Sequence, residues 1–153
     1  MNKGTLFKIY IPVVERKATE VSSKVEASPK GGKETILLAE DDDMVRSLTR
    51  QALIMAGYTV IEAANGGEAL TLFNKHATQV KLLLLDVVMP GLGGKEVYDK
   101  IIETHPSIPT LFCSGYSHNA IHTGFVLDQG LNFIQKPYSP DTLLRTIRKI
   151  LDL

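Results

Sequence analysis

The chain has 153 residues, enough for one domain with a proper hydrophobic core and hardly enough for two. Its 17 basic residues balance 17 acidic ones, which gives no indication of a surface that binds nucleic acid or membranes. The single cysteine, Cys113, excludes an internal disulfide and fits the reducing conditions of the cytoplasm.

Residues 1–33 combine a short apolar segment with a longer polar one. The segment TLFKIYIPV, residues 5–13, predicts a single strand, which is not stable without neighbours to pair with. Lys8 interrupts it and no small-residue cleavage site follows, so it is not typical of a signal peptide. No apolar run in the chain approaches the ~20 residues of a membrane-spanning helix. We expect residues 1–14 to be the end of another domain and residues 15–33, which offer little apolar surface, to be a flexible linker.

From residue 34 onward, strand-like and helix-like patterns alternate. The predicted strands are residues 35–39, 58–63, 81–85, 109–113 and 132–135. The first, third and fourth are almost continuously apolar, as is typical of parallel strands covered on both faces. Five strands alternating with five helices in about 120 residues predict one doubly wound α/β domain over residues 34–153.

Helical spacing of apolar residues marks the segments between these strands. One helix is predicted to end at Gly57, and another lies before Pro106. The last helix is predicted to begin at Ser139-Pro140, with serine as the cap and proline in the first turn.

Polar side chains follow the strands at the edge where such a sheet binds its ligands. Glu40 and Asp41 follow the first strand, Asp86 ends the third, Ser114 follows the fourth and Lys136 follows the fifth. A carboxylate at the end of the run LLLLD costs several kcal/mol unless something pairs with it. Asp86 therefore either caps a turn or faces partners gathered for chemistry, and the convergence of these side chains favours the second hypothesis.

The three carboxylates would repel one another unless a cation lay among them. Hard oxygen ligands with open positions suit Mg²⁺ completed by water and a phosphoryl oxygen. For Asp41 alone, capping the next helix and binding a metal are equally good hypotheses, whereas Asp42 or Asp43 is predicted to be the cap.

Lys136 is the only basic residue predicted to lie at this edge. Pro137 holds its backbone extended, so the ammonium group could point inward as a counter-charge. Ser114 has no histidine placed to activate it as a nucleophile, but it could donate a hydrogen bond to a phosphoryl oxygen.

Four segments together resemble the signature segments of the response-regulator receiver domain, in order and in spacing. They are TILLAEDDDMVR, LLLLDVVMPGLGG, PTLFCSGYS and NFIQKPYS, and the resemblance covers residues 34–153. It implies a flavodoxin-like sheet of order 2-1-3-4-5 with five helices on both faces. It also implies two-component signal transduction, in which the domain catalyses its own Mg²⁺-dependent phosphorylation and dephosphorylation.

By position in these segments, Asp86 matches the phosphoacceptor aspartate. Asp41 and Glu40 match the acidic pair that binds the metal, Asp41 directly and Glu40 through water. Val88 matches the residue whose backbone carbonyl binds the metal.

The remaining matches concern the response to phosphorylation. Ser114 matches the hydroxyl residue that contacts the phosphoryl group, and Lys136 matches the family's lysine. Phe133 matches the aromatic switch residue, although phenylalanine lacks the hydroxyl of tyrosine. A cis peptide bond is usual in the family at the position of Pro137. Switching would alter the face formed by the fourth helix, fifth strand and fifth helix.

Residues 4–15, GTLFKIYIPVVE, resemble the last strand of a histidine-kinase ATPase domain. This resemblance implies the C-terminal receiver of a hybrid sensor histidine kinase, with no ATP site in this chain. The implied phosphodonor is a kinase phosphohistidine domain in the same polypeptide, and a histidine phosphotransfer protein is a further candidate partner. An irrelevant leader sequence is the alternative for this segment.

Other functions fit the sequence less well. A haloacid-dehalogenase-type phosphatase needs a second aspartate two residues after Asp86, where this chain has Val88. The segment PGLGGK lacks the spacing and the Ser or Thr of a nucleotide-binding loop. His118 and His122 have metal-ligand spacing without an evident third ligand. DNA binding would need an additional output domain.

Overall fold

The structure, a computed structural model, describes residues 4–10, 30–115 and 131–153. Within these ranges the chain forms five strands and four helices. In chain order they are β1 (Thr35–Ala39), α1 (Asp43–Met55), β2 (Thr59–Ala63), α2 (Gly66–His76), β3 (Val80–Asp86), α3 (Gly94–Ile102), β4 (Thr110–Ser114), β5 (Asn132–Gln135) and α4 (Pro140–Leu151). The predicted strands are confirmed to within one residue at each end.

The five strands form one parallel sheet in the order β2-β1-β3-β4-β5, which confirms the predicted topology. The register brings the carboxyl ends of the three central strands to one level. Ala39 lies opposite Leu85, so Glu40 follows β1 at the height of Asp86. Asp86 in turn lies opposite Cys113 on β4, and Ser114 is the next residue of that strand.

Helices cover both faces of this sheet. On one face, α1 and α4 contribute Leu53, Leu143 and Ile147 to a core with the strand residues Ile36 and Leu84. On the opposite face, α2 and α3 contribute Ala69, Phe73, Val97 and Ile101 to a core with Leu37, Leu83 and Leu85. Each fully buried leucine contributes about 1.5–3 kcal/mol relative to an exposed one. Because successive strand side chains point to opposite faces, nearly continuous apolar strands are required to fill both cores.

Side-chain caps set where two of the helices begin near the sheet edge. The Asp42 carboxylate accepts hydrogen bonds from the amides of Met44 at 2.8 Å and Val45 at 3.0 Å, so Asp42 is the cap of α1. Ser139 caps α4, and Pro140 occupies the first helical position. Both caps were predicted from the sequence, and the cap at Asp42 leaves the preceding Asp41 available for another role.

Two expectations differ from the structure. The described residues contain four helices rather than five, because the helix expected between β4 and β5 falls on residues 116–130, outside the described ranges together with His118 and His122. The strand expected over residues 5–13 is wrong for residues 4–10, which contain no strand and expose their large apolar side chains. A strand needs hydrogen-bonding neighbours, and none pairs with this segment within the described ranges.

The last residues of the predicted linker contact the domain. The amide of Gly32 donates a hydrogen bond of 3.1 Å to the carbonyl of Ala56, at the end of α1. A Cβ on Gly31 would lie 1.7 Å from that same carbonyl oxygen, so only glycine allows this approach. Gly31 and Gly32 therefore lie against the domain. Among the described helices, none has both the length and the apolar character to cross a membrane.

Candidate functional site

The predicted acidic residues converge at the carboxyl edge of the sheet. Glu40, Asp41 and Asp86 each offer a carboxylate oxygen within 4.8 Å of the others. Glu40 and Asp86 are 3% and 8% exposed, whereas Asp41 is exposed. Leu38 and Leu84, two residues earlier on each strand, face the α1/α4 core, and strand alternation directs Glu40 and Asp86 to the same side.

Lys136 supplies a counter-charge to the two buried carboxylates. Its Nζ donates a hydrogen bond of 2.6 Å to Asp86 Oδ2 and another to Glu40 Oε2. The Lys136 amide donates to the carbonyl of Ser114 at 2.8 Å, which holds the end of β5 against β4. The peptide bond to Pro137 is cis. The expectation that the ammonium group points inward is confirmed.

Burial and charge act in opposite directions on these groups. Burial raises the pKa of Glu40, and this outweighs the lowering by Lys136, while the charge of Asp86 raises it further. Burial alone would lower the pKa of Lys136, but its hydrogen bonds to Asp86 and Glu40 raise it. Three carboxylates against one ammonium leave two negative charges, which a divalent cation would offset.

This donor set fits Mg²⁺ by its chemistry. The three side chains offer hard carboxylate oxygens close together, and the exposed Asp41 leaves one side of the cluster open to water. Val88 lies two residues after Asp86, and its amide donates to Asp86 Oδ1 at 3.1 Å, so its backbone lies beside the carboxylate.

Ser114 and Phe133 lie on neighbouring strands close to the cluster. Ser114 is the last residue of β4 and is buried. Phe133 lies opposite Phe112 in the β4–β5 register and packs, half-buried, against the α2/α3 core. Phe112 and Phe133 thus lie side by side in the sheet and belong to the α2/α3 core.

Arg46 is a second basic residue at this edge, so the expectation of Lys136 alone was wrong. Its Nη1 donates to the carbonyl of Glu40 at 2.8 Å and lies 3.5 Å from the carbonyl of Asp41. Its Nη2 pairs with Asp43. Helical side chains lean toward the helix N-terminus, so a long basic residue in the first turns of α1 returns over the acidic turn. That geometry was the signal available in the sequence.

Cys113 plays no part in this chemistry. It is buried in the α1/α4 core, and burial raises the pKa of its thiol to about 12. A thiol that stays protonated at neutral pH is a poor nucleophile. The prediction that Cys113 is simply packed is confirmed.

Comparison with known protein families identifies the family of the chain. Residues 36–148 match the family model described as the response regulator receiver domain. The chain belongs to this family. It is a receiver domain of two-component signalling.

Among curated relatives, the sensor kinase CckA of Brucella abortus is 37% identical over 160 residues. That match covers 99% of this chain but only 17% of the relative. The receiver protein CpdR of Brucella abortus is 32% identical over 116 residues, covering 76% of this chain and 95% of CpdR.

Solved structures show the same fold. The receiver domain of the hybrid histidine kinase CckA superimposes with a TM-score of 0.65 at 34% identity, covering 76% of this chain and 98% of that one. The chemotaxis protein CheY4 of Vibrio cholerae superimposes with a TM-score of 0.69 at 27% identity, covering 78% of this chain and 100% of that one.

The receiver also has an apolar surface beside its acidic cluster. Met44 and Leu48 on α1 are 74% and 62% exposed. A cleft of 490 Å³ lies next to them, and Leu48, Lys136 and Tyr138 are among the residues that line it. Large apolar side chains exposed next to a functional site are typical of a surface that a partner protein covers.

Proposed function

We propose that Asp86 accepts a phosphoryl group from a phosphohistidine in a reaction that requires Mg²⁺. The observation that carries this proposal is the buried Asp86 carboxylate, bonded to Lys136 and grouped with two further carboxylates at the open edge of the sheet. A structural ion pair would not need the third carboxylate, whereas a metal-dependent phosphoacceptor does.

In the proposed reaction, Asp86 is the nucleophile. A carboxylate oxygen of Asp86 attacks phosphorus in line, the bond between phosphorus and the imidazole nitrogen breaks, and the imidazole leaves. The product is an acyl phosphate on Asp86. The ammonium group of Lys136 and the hydroxyl of Ser114 stabilise the charge on the phosphoryl oxygens.

Asp41, Asp86 and the carbonyl of Val88 would hold Mg²⁺ directly, with Glu40 acting through water. Bound there, the ion would offset charge on the phosphoryl oxygens during transfer and again during hydrolysis of the acyl phosphate.

Phosphorylation would also change the shape of the domain. The added charge draws Ser114 toward Asp86, and the ring of Phe133 moves into the space that is vacated. The surface formed by β5, α4 and the helix expected between β4 and β5 would change as a shift between two populations.

The phosphodonor proposed for this receiver is a histidine-kinase phosphohistidine domain in the same polypeptide. The match to CckA supports this, because it covers 99% of the chain and so extends beyond residues 36–148 into the segment interpreted as the end of a kinase ATPase domain. Met44 and Leu48 are exposed on α1, and Leu48 lines the same cleft as Lys136, so they offer the donor domain an apolar contact near the site. A histidine phosphotransfer protein is the proposed onward partner, and the cytoplasm is the proposed location.

The test is phosphorylation by phosphoramidate, a small donor with a phosphorus–nitrogen bond, followed by intact-mass measurement. One phosphate should be added with Mg²⁺ and none with EDTA or in Asp86→Asn. Asp42→Asn is the matched control, because asparagine also caps helices and Asp42 is outside the acidic cluster. Labelling that persists in Asp86→Asn would overturn the proposal.

A further inference from the structure

Arg46 is bonded to the backbone that carries the two acidic residues. Its guanidinium contacts the carbonyl oxygens of Glu40, at 2.8 Å, and of Asp41, at 3.5 Å. Its charge is paired with Asp43, and its side chain is only 16% exposed. Arginine suits this arrangement because its planar fork presents several donors in fixed directions.

The turn from Glu40 to Asp42 is held from several sides. The Glu40 amide donates to the carbonyl of Ala63 at 3.2 Å, which continues the pairing of β1 with β2. Beyond the turn, the Asp42 side chain is fixed as the cap of α1. Between these two points, Arg46 binds the carbonyls of Glu40 and Asp41. The direction in which the two carboxylates point depends on the backbone angles of this turn.

We propose that Arg46 is a positioning residue for the metal site: it holds the β1–α1 turn so that the carboxylates of Glu40 and Asp41 face Asp86. This inference rests on the proposed Mg²⁺ site at these carboxylates. Arg46 acts through the backbone and does not bind the metal itself.

The sign of the effect on Mg²⁺ affinity separates this role from simple electrostatics. A positive charge near a cation site weakens cation binding, so its removal would tighten Mg²⁺ binding if Arg46 acted only through its charge. If Arg46 holds the turn, its removal loosens the two carboxylates and weakens Mg²⁺ binding. Loss of a residue that orients metal ligands typically lowers metal affinity about 10- to 100-fold.

The experiment measures Mg²⁺ affinity by calorimetry in the wild-type chain and in Arg46→Gln, Arg46→Lys and Arg50→Gln. Arg46→Gln should bind Mg²⁺ about tenfold more weakly. Arg46→Lys should show an intermediate loss, because lysine keeps the charge but not the fork. Arg50 is the matched control: it lies one turn further along α1 and pairs with Glu62 at 3.5 Å, both half-exposed. Its variant should bind Mg²⁺ as the wild type does.

Two further readouts distinguish positioning from general damage to the fold. Amide hydrogen exchange at Glu40, Met44 and Val45, whose amides are hydrogen-bonded at this turn, should be faster in Arg46→Gln, while core amides in β3 stay protected. Phosphorylation of Arg46→Gln by phosphoramidate should require more Mg²⁺ but approach the wild-type rate when Mg²⁺ is saturating.

Asp43→Asn is a further control variant. It removes the ion pair and keeps the carbonyl contacts, so it should retain nearly full Mg²⁺ affinity.

Unchanged or tighter Mg²⁺ binding in Arg46→Gln would overturn the inference. An equal loss in Asp43→Asn would overturn it as well, because the ion pair rather than the carbonyl contacts would then be responsible. If Arg46→Gln does not fold, wild-type affinity in Arg46→Lys is the overturning result. Failure of the wild-type chain to bind Mg²⁺ would instead contradict the proposed function.

Discussion

Two ion-pair clusters lie at the opposite ends of β1, and their comparison shows what distinguishes a functional site from a structural contact. Glu40 follows β1 and bonds to Lys136, together with Asp86. Glu34 precedes β1 and bonds to Arg148 at 2.9 Å, together with Asp152 at 3.0 Å. Each cluster thus joins one cation to two carboxylates.

The clusters differ in burial and in the number of charges. The side chains of Glu40 and Asp86 are 4% and 10% exposed, whereas those of Glu34 and Asp152 are 30% and 62% exposed. Burial raises the pKa of Glu40, but the hydrogen bond from Arg148 lowers the pKa of Glu34. Only the Glu40 cluster, among the described residues, has a third carboxylate, Asp41, in reach. Buried excess negative charge, rather than ion pairing itself, marks the candidate site.

The largest difference between the two clusters is expected when the basic residue of each cluster is replaced. Lys136→Met, measured by urea unfolding without Mg²⁺, should cost about 3 kcal/mol, because it leaves buried carboxylates unpaired. Arg148→Met should cost about 1 kcal/mol, because the carboxylate side chains that it pairs with are more exposed than those of Glu40 and Asp86. Added Mg²⁺ should restore part of the loss in Lys136→Met and none in Arg148→Met. Equal losses, with no effect of Mg²⁺, would show that the two clusters are of the same kind.

The two glutamates should give pH dependences of opposite sign. The folded-state pKa of Glu34 is lowered from 4.5, so its contribution to stability is present above 4.5 and is lost as the pH falls through the folded-state value. The folded-state pKa of Glu40 is raised from 4.5, so its contribution is present below 4.5 and is lost as the pH rises through the folded-state value.

Unfolding free energies measured across pH without Mg²⁺ test this contrast. Glu34→Gln should flatten the fall in stability on acidification below pH 4.5, and Glu40→Gln should flatten the fall on raising the pH above 4.5. If both substitutions changed the unfolding free energy on the same side of pH 4.5, the difference in burial would not explain the charge states of the two glutamates.

A smaller effect is expected where the linker enters the domain beside the Glu34 cluster. Gly31→Ala should cost about 1 kcal/mol, since the added Cβ displaces residue 31 and the Gly32 hydrogen bond to Ala56 is lost. Gly67→Ala is the control, because its Cβ would lie 3.4 Å from the nearest atom and alanine favours the helix. Deletion of residues 1–30 should leave the melting temperature nearly unchanged, whereas deletion of residues 1–33 should lower it. If Gly31→Ala left the stability unchanged, the linker would not dock on the domain.

The smallest effect on phosphorylation is expected from Phe133→Leu, which keeps apolar volume in the core. Phe133 carries no charge toward Asp86, so phosphorylation by phosphoramidate should proceed at a similar rate. The phosphorylation-dependent NMR shifts in β5 and α4 should be reduced, because leucine lacks the ring that is proposed to move. A variant that no longer takes up phosphate would place Phe133 in the chemical site instead of the switch.

Local patterns predicted most of the sheet and most of the site. The apolar runs gave β1 and β3, and the register of parallel strands then brought Glu40 and Asp86 together. The cap at Ser139 also followed from local sequence. The contact between Arg148 and Glu34 did not, because it joins side chains 114 residues apart at the end of β1 away from the predicted site. The hydrogen bond from Arg46 to a backbone carbonyl also leaves no mark in composition or periodicity, and only the lean of side chains toward the helix N-terminus indicates it.

The central claim is that the phosphoryl group is attached to Asp86 and to no other carboxylate of the acidic cluster. Borohydride reduces an aspartyl phosphate to homoserine, so peptide mapping of the phosphorylated and reduced chain locates the modified residue. We expect homoserine at position 86 after treatment with phosphoramidate and Mg²⁺, and unmodified aspartate there when EDTA is present. Modification at Asp41, with residue 86 unchanged, would contradict the account.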